Sequence, residues 1–312
     1  MRYVIAFLLL FCLRTSAAEP TYTRQQDVIY GRKFGMALTM DVFRPVTGAN
    51  KAGILLMCSG GWFSSHDFVG SPPFMAMTNA LTSRGYTVFS VVHGSQPRFT
   101  IPDVVSDIHR AARFIRYSAH AYGIDPDRLG ITGASSGGHL SLMEGVAPLP
   151  GDPKSVDPVE RVESRVEAVA CFFPPTDFLN YGAPGKLAWE TNLNWLLPPF
   201  DFQTQNKAGE FFPLLSDAKL RIARQVSPIY LISAASAPTL IIQGDADILV
   251  PYEQSQRFIA KLKTAGVPAQ LIIRHGKNHG WPNMEPDFQL IGDWFDRYLL
   301  QSSTTRPVKA EP

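Results

Sequence analysis

From Gly53 onward the chain alternates short, continuously apolar runs with segments of helical periodicity, and that alternation restricts its fold more than any other feature. Gly53–Cys58, Tyr86–Val92, Arg128–Thr132, Val166–Phe173, Thr239–Gln243 and Ala269–Arg274 have strand length and few polar positions, as strands buried on both faces require. Between them the pattern predicts a helix from about Pro73 to Ser83, ended by Gly85. A second is opened by Pro102 and stopped by Gly123, with Val104, Ile108, Ala111, Ile115, Ala119 and Tyr122 on one face. A third runs from Tyr252 to about Ala265, and a final amphipathic helix carries Phe288, Ile291, Trp294, Phe295 and Tyr298. This order predicts an α/β fold, a mostly parallel sheet with helices on both faces. Ahead of it, Asp27–Tyr30 and Leu38–Phe43, joined by the turn-prone Gly31-Arg32-Lys33, predict an antiparallel lead into the sheet. Residues 176–228 break the rhythm. Rich in Pro, Asn and aromatics and too long for a plain connection, they are expected to form a cap inserted over one end of the sheet. Trp189, Trp195, Phe200, Phe211 and Phe212 crowd this segment and read as its small core.

A chain of 312 residues with 45% hydrophobic positions can bury a large core. Its 29 Lys and Arg against 27 Asp and Glu leave no basic surplus for nucleic acid. Met1-Arg2-Tyr3, the apolar run Val4–Leu13 and the small residues Ser16-Ala17-Ala18 read as a secretory signal peptide, residues 1–18, cleaved after Ala18. Residues 19–312 are then a single domain in a secreted or periplasmic protein of about neutral charge. Phe11 before Cys12 is not the small residue a lipid-anchored cysteine needs, and no later stretch is apolar for the length of a membrane span, so no stable membrane anchor is expected. Cys58 and Cys171 both lie in strand-like runs and are expected to be buried free thiols. No C-x-x-C or H-E-x-x-H pattern occurs, and neither a metal nor a cofactor is expected.

The strand Arg128–Thr132 runs directly into Gly133-Ala134-Ser135-Ser136-Gly137-Gly138. This is G-x-S-x-G between a strand and a helix, a turn tight enough that positions two before and two after the serine need to lack a Cβ. Gly133 and Gly137 meet that need, and Ser135 is the candidate nucleophile. A serine hydroxyl needs a base, and the base needs an acid to orient it. After Ser135 the only histidines are His139, His275 and His279. His139 sits on the helix behind the elbow and is expected to pack there. His279, in the loop beyond the last strand, is favoured over His275 as the base. The loop after Thr239–Gln243 offers Asp245 and Asp247; Asp247 is the favoured acid, and Asp245 is expected to brace its own turn. Gly61 and Trp62, after the strand ending at Cys58, and Ser136, after the nucleophile, are the candidate backbone donors to an oxyanion. Asp107 is read as a buried ion pair supporting the His93-Gly94 loop near Arg98, and Arg257, Lys261 and Lys263 as a solvated helix face.

Taken together, these residues carry a resemblance. The chain resembles α/β-hydrolases of the esterase/lipase group, close to bacterial secreted enzymes with feruloyl- and acetylxylan-esterase-like (BD-FAE-type) domains. The shared features are Gly60-Gly61-Trp62, Asp125-Pro126-Asp127-Arg128, Gly133–Gly138, Ser227-Pro228, Gly244-Asp245-Ala246-Asp247, Val250-Pro251, Gln254-Ser255, Ala265-Gly266-Val267 and His279-Gly280, across most of residues 27–300. The resemblance implies the α/β-hydrolase fold, the triad Ser135, Asp247 and His279, and action on an ester of a small molecule or a carbohydrate. In one place the chain departs from it: Ser59 stands where such enzymes usually carry the histidine that orients the glycine loop. Two other readings use the same parts. A prolyl-oligopeptidase-like peptidase is disfavoured by the roughly 30 residues ahead of the sheet, where such enzymes usually carry a large propeller. A non-catalytic binding module is disfavoured by the intact serine, acid and histidine.

Overall fold

The computed structural model describes residues 21–191, 200–205, 210–214 and 216–301; the expected leader and Trp195 lie outside them. In chain order the main elements are β1 (Tyr22–Lys33), β2 (Met36–Pro45), β3 (Gly53–Met57), α1 (His66–Gly70), α2 (Pro72–Thr82), β4 (Thr87–Val92), α3 (Ile101–Tyr117), α4 (Ala119–Tyr122), β5 (Leu129–Ala134) and α5 (Ser136–Val146). There follow β6 (Ala168–Phe172), the short pair β7 (Gln203–Gln205) and β8 (Phe211–Pro213), α6 (Ser216–Gln225), β9 (Thr239–Gly244), α7 (Glu253–Thr264), β10 (Ala269–Arg274) and α8 (Glu285–Phe295). The main sheet has eight strands in the order β1-β2-β4-β3-β5-β6-β9-β10. Only β1 with β2 and β2 with β4 pair antiparallel; every other neighbour is parallel. This is the expected architecture, and its apolar strands β3, β6 and β9 are buried at every position.

Helices cover both faces because alternate residues of each strand need cover on opposite sides. Leu55, Met57, Ile131 and Cys171 share a core with α3, α5 and α7. Ile54, Leu56, Cys58 and Phe172 share another with α2 and α8. Cys58 and Cys171 are free and fully buried, and burial pushes both thiols above their ordinary titration range. No helix among the described residues is long and apolar enough to cross a membrane.

Two local expectations are corrected. The β1–β2 turn is not Gly31-Arg32-Lys33 but Phe34-Gly35, both at positive φ, the conformation that matches hairpin twist. Gly31 lies within β1 opposite Leu38, where a Cβ would come 3.2 Å from the Arg110 side chain. The helix expected to run from Pro102 to Gly123 breaks at Ser118, leaving α4 as a separate turn. Asp107 forms the expected buried ion pair under the His93-Gly94 loop: it pairs with Lys33 of β1 at 2.6 Å and accepts the Gly94 amide at 2.9 Å, while Arg98 lies over the rings of Phe34 and Phe99.

Residues 176–228 leave the sheet after β6 and include β7, β8 and α6. Of the rings expected to form its own small core, Phe200 is buried and Trp189 packs against it, together with Phe178 and Phe202, in a core continuous with that of the sheet, whereas Phe212 is exposed. That core reaches the loop after β3: Phe178 and Phe200 meet Trp62 edge-on at 5.7 and 5.4 Å. Arg257 and Lys261 of α7 do more than face solvent. Arg257 pairs with the fully buried Asp177 at 2.8 Å, and Lys261 donates to the Ile229 carbonyl at 2.7 Å, fastening the segment to α7.

Two buried histidines sit in this framework uncharged. His139 on α5 accepts from the Trp62 indole at 3.2 Å and donates from Nε2 to the Val226 carbonyl at 2.7 Å. His93, after β4, is likewise buried. Burial is the largest influence on both and brings their pKa values down to about 4. An unfolded histidine titrates near ~6.5, so between these values the unfolded chain binds more protons and stability falls as the pH drops. Thermal melts should show stability that is full above pH 6.5 and declines toward pH 4, each histidine contributing at most about 1.4 kcal/mol per pH unit. His139→Gln should melt lower at pH 7 yet show a shallower decline; a decline of unchanged slope would mean that His139 carries no part of it.

Candidate active site

At the C-terminal end of β5 the chain must reverse into α5 within one residue. Ser135 takes that reversal, at φ 56° and ψ −120°, a conformation costly for a residue with a Cβ. The flanking backbones touch: a Cβ on Gly133 would lie 2.6 Å from the Gly137 backbone, and one on Gly137 would lie 2.8 Å from the Met57 carbonyl. The two glycines therefore let the elbow close, and the Ser135 side chain is left at the N-terminus of α5.

The loops after β9 and β10 bring the other two groups to it. His279 Nε2 lies 2.9 Å from Ser135 Oγ, and His279 Nδ1 lies 2.8 Å from Asp247 Oδ2. Because a carboxylate can only accept, Nδ1 carries the proton and Nε2 is free to accept from the serine. Asp247 is held by further donors: the Leu249 and Val250 amides at 2.9 Å each to Oδ1, and the Gln243 side-chain amide at 3.0 Å to Oδ2. The Phe173 ring packs on the imidazole at 4.4 Å between centroids.

The alternative pair, Asp245 and His275, forms a surface copy of this arrangement. His275 Nδ1 lies 2.7 Å from Asp245 Oδ2, but the His275 side chain is 83% exposed against 18% for His279. Asp245 braces the neighbouring loop more than its own turn, accepting the Gly276 amide at 2.6 Å. The His275 hydrogen bond, then the Gly276 amide, hold its carboxyl below the usual range.

After β3, Gly60 and Phe63 exchange reciprocal backbone bonds of 2.9 Å. The two residues between them, Gly61 and Trp62, have φ of 56° and 58°. This tight turn leaves the amides of Gly61 and Trp62 with no acceptor among the described residues, and the Ser136 amide at the start of α5 is in the same condition. The turn meets α5 where Ser59 Oγ lies 3.0 Å from Ser136 Oγ.

Beside the elbow lies an apolar cavity of about 310 Å³ walled by Ala134, Phe172, Phe173, Gly280, Trp281 and Phe74. Trp281 is fixed there by its indole bond to the buried Asp287 at 2.8 Å. A larger depression of about 580 Å³ shares no residue with this group, and its charges answer one another, as in Lys33 with Asp107 and Arg110 with Glu160. Among the described residues the one cluster with metal-ligand spacing is Asp27, Asp41 and His66. There Arg24 already pairs with Asp41 at 2.6 Å, and the Thr39 hydroxyl lies 2.8 Å from His66 Nε2.

Sequence reasoning overlooked several supports. Gln243, held by the Ser255 hydroxyl at 2.9 Å, orients Asp247. Asn278 accepts the amides of Ile248 and His279 and so ties the acid loop to the base loop. Their only signal was a lone amide side chain at the end of an apolar strand and another just before the histidine.

The chain is similar to several known proteins. The BD-FAE family model matches residues 40–262. The chain is 28% identical over 247 residues to the probable carboxylic ester hydrolase LipM of Mycobacterium tuberculosis, covering 78% of this chain and 52% of that protein. It is 25% identical to esterase LipQ of the same organism, covering 77% and 53%. The chain thus spans about half the length of the curated relatives it matches. A truncated carbohydrate esterase from gut microbiota has the same fold at TM-score 0.70 and 27% identity, with 90% of this chain and 98% of that one covered. An esterase of Thermogutta terrifontis shares the fold at TM-score 0.68 and 22% identity, covering 92% and 96%. With an eight-stranded, mostly parallel sheet and a family match over most of its length, the chain has the α/β-hydrolase fold and belongs to the BD-FAE family.

Proposed function

We propose that this chain is a serine esterase that cleaves a carboxylic ester through an acyl-serine intermediate. The observation that carries the reading is the continuous hydrogen-bonded path Ser135–His279–Asp247, at 2.9 and 2.8 Å. His279 Nε2 takes the Ser135 proton as Oγ attacks the ester carbonyl carbon, and Asp247 holds the imidazolium that forms. The free amides of Gly61, Trp62 and Ser136 receive the negative oxygen of the tetrahedral intermediate. As the carbonyl reforms, the C–O bond to the alcohol breaks and His279 gives that alcohol its proton. Water, deprotonated by His279, then attacks the acyl-serine and releases the acid. The apolar cavity beside Ala134 and Gly280 takes the acyl group, and residues 176–228 act as a cap on a single domain beginning after the signal peptide. The substrate class is an ester on a carbohydrate, an assignment supported by the likeness to the gut-microbiota carbohydrate esterase. The apolar N-terminal run Val4–Leu13 and the small residues before Glu19 support export from the cytoplasm.

A fluorophosphonate probe should label the folded protein at Ser135; absence of labelling would favour a non-catalytic binding module. Asp247→Asn should lose roughly 10³–10⁴ in kcat, since without the acid the imidazole loses its orientation. Asp245→Asn should keep most activity. Because the folded-state pKa of Asp245 is depressed, its small stabilising effect should be present at neutral pH and fade in acid. Equal kinetic damage from the two would reassign the acid.

The cavity makes a separate prediction. Activity should be measured on a panel of p-nitrophenyl esters beside acetylated xylan and methyl ferulate. A peak at acyl chains of eight or more carbons would overturn the carbohydrate assignment while leaving the mechanism intact. Met77 lines the cavity, and Met77→Trp should cut kcat/KM on bulky acyl groups about tenfold or more while sparing acetyl esters. Equal losses on both would place the acyl group elsewhere.

A further inference from the structure

Ser59, just ahead of the glycine turn after β3, is buried beside a histidine. His93, from the loop after β4, brings Nε2 to 2.8 Å from Ser59 Oγ, and Ser59 Oγ lies 3.0 Å from Ser136 Oγ. All three side chains are buried. The proton positions follow from the ends of the chain. His93 Nδ1 lies 2.7 Å from the Gly94 carbonyl, which can only accept, so Nδ1 carries the hydrogen. With the ring kept neutral by burial, Nε2 has a lone pair and must accept from the Ser59 hydroxyl. The Ser59 oxygen in turn accepts from the Ser136 hydroxyl. Every bond therefore runs in one direction, from Ser136 through Ser59 to His93.

We propose that His93, acting through Ser59, is a positioning residue that holds the two halves of the oxyanion hole in register. This rests on the serine-esterase reading above. One half, the Ser136 amide, belongs to α5, and the other, the Gly61 and Trp62 amides, belongs to the turn that begins just after Ser59. The path crosses the seam between them. It is anchored on the far side as well: the Ser64 hydroxyl donates to the Cys58 carbonyl at 2.5 Å and accepts the His93 amide at 3.2 Å, while Asp107 holds the Gly94 amide. A buried hydroxyl with one acceptor and one donor in place has a single low-energy orientation, whereas removing it leaves two buried partners unsatisfied.

The test uses Ser59→Ala, read by steady-state kinetics on a p-nitrophenyl ester and by the affinity of a trifluoromethyl ketone. The ketone adds to Ser135 and places its hemiketal oxygen in the hole. Losing a donor outright costs ~10²–10³ in kcat, so a donor that is displaced should cost less, about tenfold. KM should stay within about twofold, because the hole serves the transition state more than the bound ester. Ketone affinity should fall by the same factor as kcat, and the pH dependence of kcat/KM should be unchanged, because Ser135, His279 and Asp247 are untouched. His93→Gln, which retains an acceptor toward Ser59, should keep more activity than His93→Leu. If Ser59→Ala does not fold, Ser136→Ala cuts the same path at its other bond and is read the same way. Wild-type kcat and ketone affinity in a folded Ser59→Ala or Ser136→Ala protein would overturn the proposal. Ketone binding that depends on Ser59 in a protein inactive on every ester would uphold it while the esterase reading fails. A folded wild-type protein that does not bind the ketone would overturn both.

Discussion

Everything in the site depends on one steric contact, the approach of the Gly133 and Gly137 backbones across Ser135. That contact forces Ser135 to a positive φ, sets its hydroxyl at the head of α5, and leaves the Ser136 amide without a helical partner. The strained residue is held by what surrounds it. β5 is hydrogen-bonded on both sides within the sheet, between β3 and β6, and α5 is buried along its length. The elbow cannot relax without separating a strand and a helix that the core keeps together.

The loops after β9 and β10 place two carboxylate–histidine pairs side by side, and their environments separate them. Asp247 is fully buried, takes its donors from two amides and Gln243, and presents His279 to Ser135. Asp245 and His275 make a bond of similar length in water, where such a pair is screened and weak. The difference is burial and aim, since the residue types are the same. Within this arrangement Asp245 pins Gly276 at the start of the loop that carries His279.

A similar arrangement operates around the Gly60–Phe63 turn. Trp62 is tied to α5 through His139 and to the 176–228 segment through Phe178 and Phe200, while Ser59 is tied to α5 through Ser136 and to the β4 loop through His93. Both histidines are kept neutral by burial, so each offers one donor and one acceptor of fixed direction. The turn's own backbone bonds join only Gly60 with Phe63, and these side chains tie it to the elements around it.

Much of this was legible in the amino-acid order. Continuous apolar runs marked the central strands because strands covered on both faces admit little else, and Gly133 and Gly137 marked the elbow around Ser135 because the turn excludes a Cβ two positions before and two after the serine. Ser135, Asp247 and His279 could be chosen from few candidates because each had to follow a strand in a set order. Other features were decided only in three dimensions. The hairpin turns at Phe34-Gly35 with Gly31 inside β1, and Lys33 is the partner of Asp107 because β1 packs on α3. His93 and Gln243 carry no local pattern at all. Their roles come from contacts 34 residues apart for His93 with Ser59, and from a strand-end amide turned inward toward Asp247. Sequence patterns report what one strand or helix needs from its own neighbours. Which buried polar groups satisfy one another across loops depends on how those elements pack, and only the tertiary structure determines that.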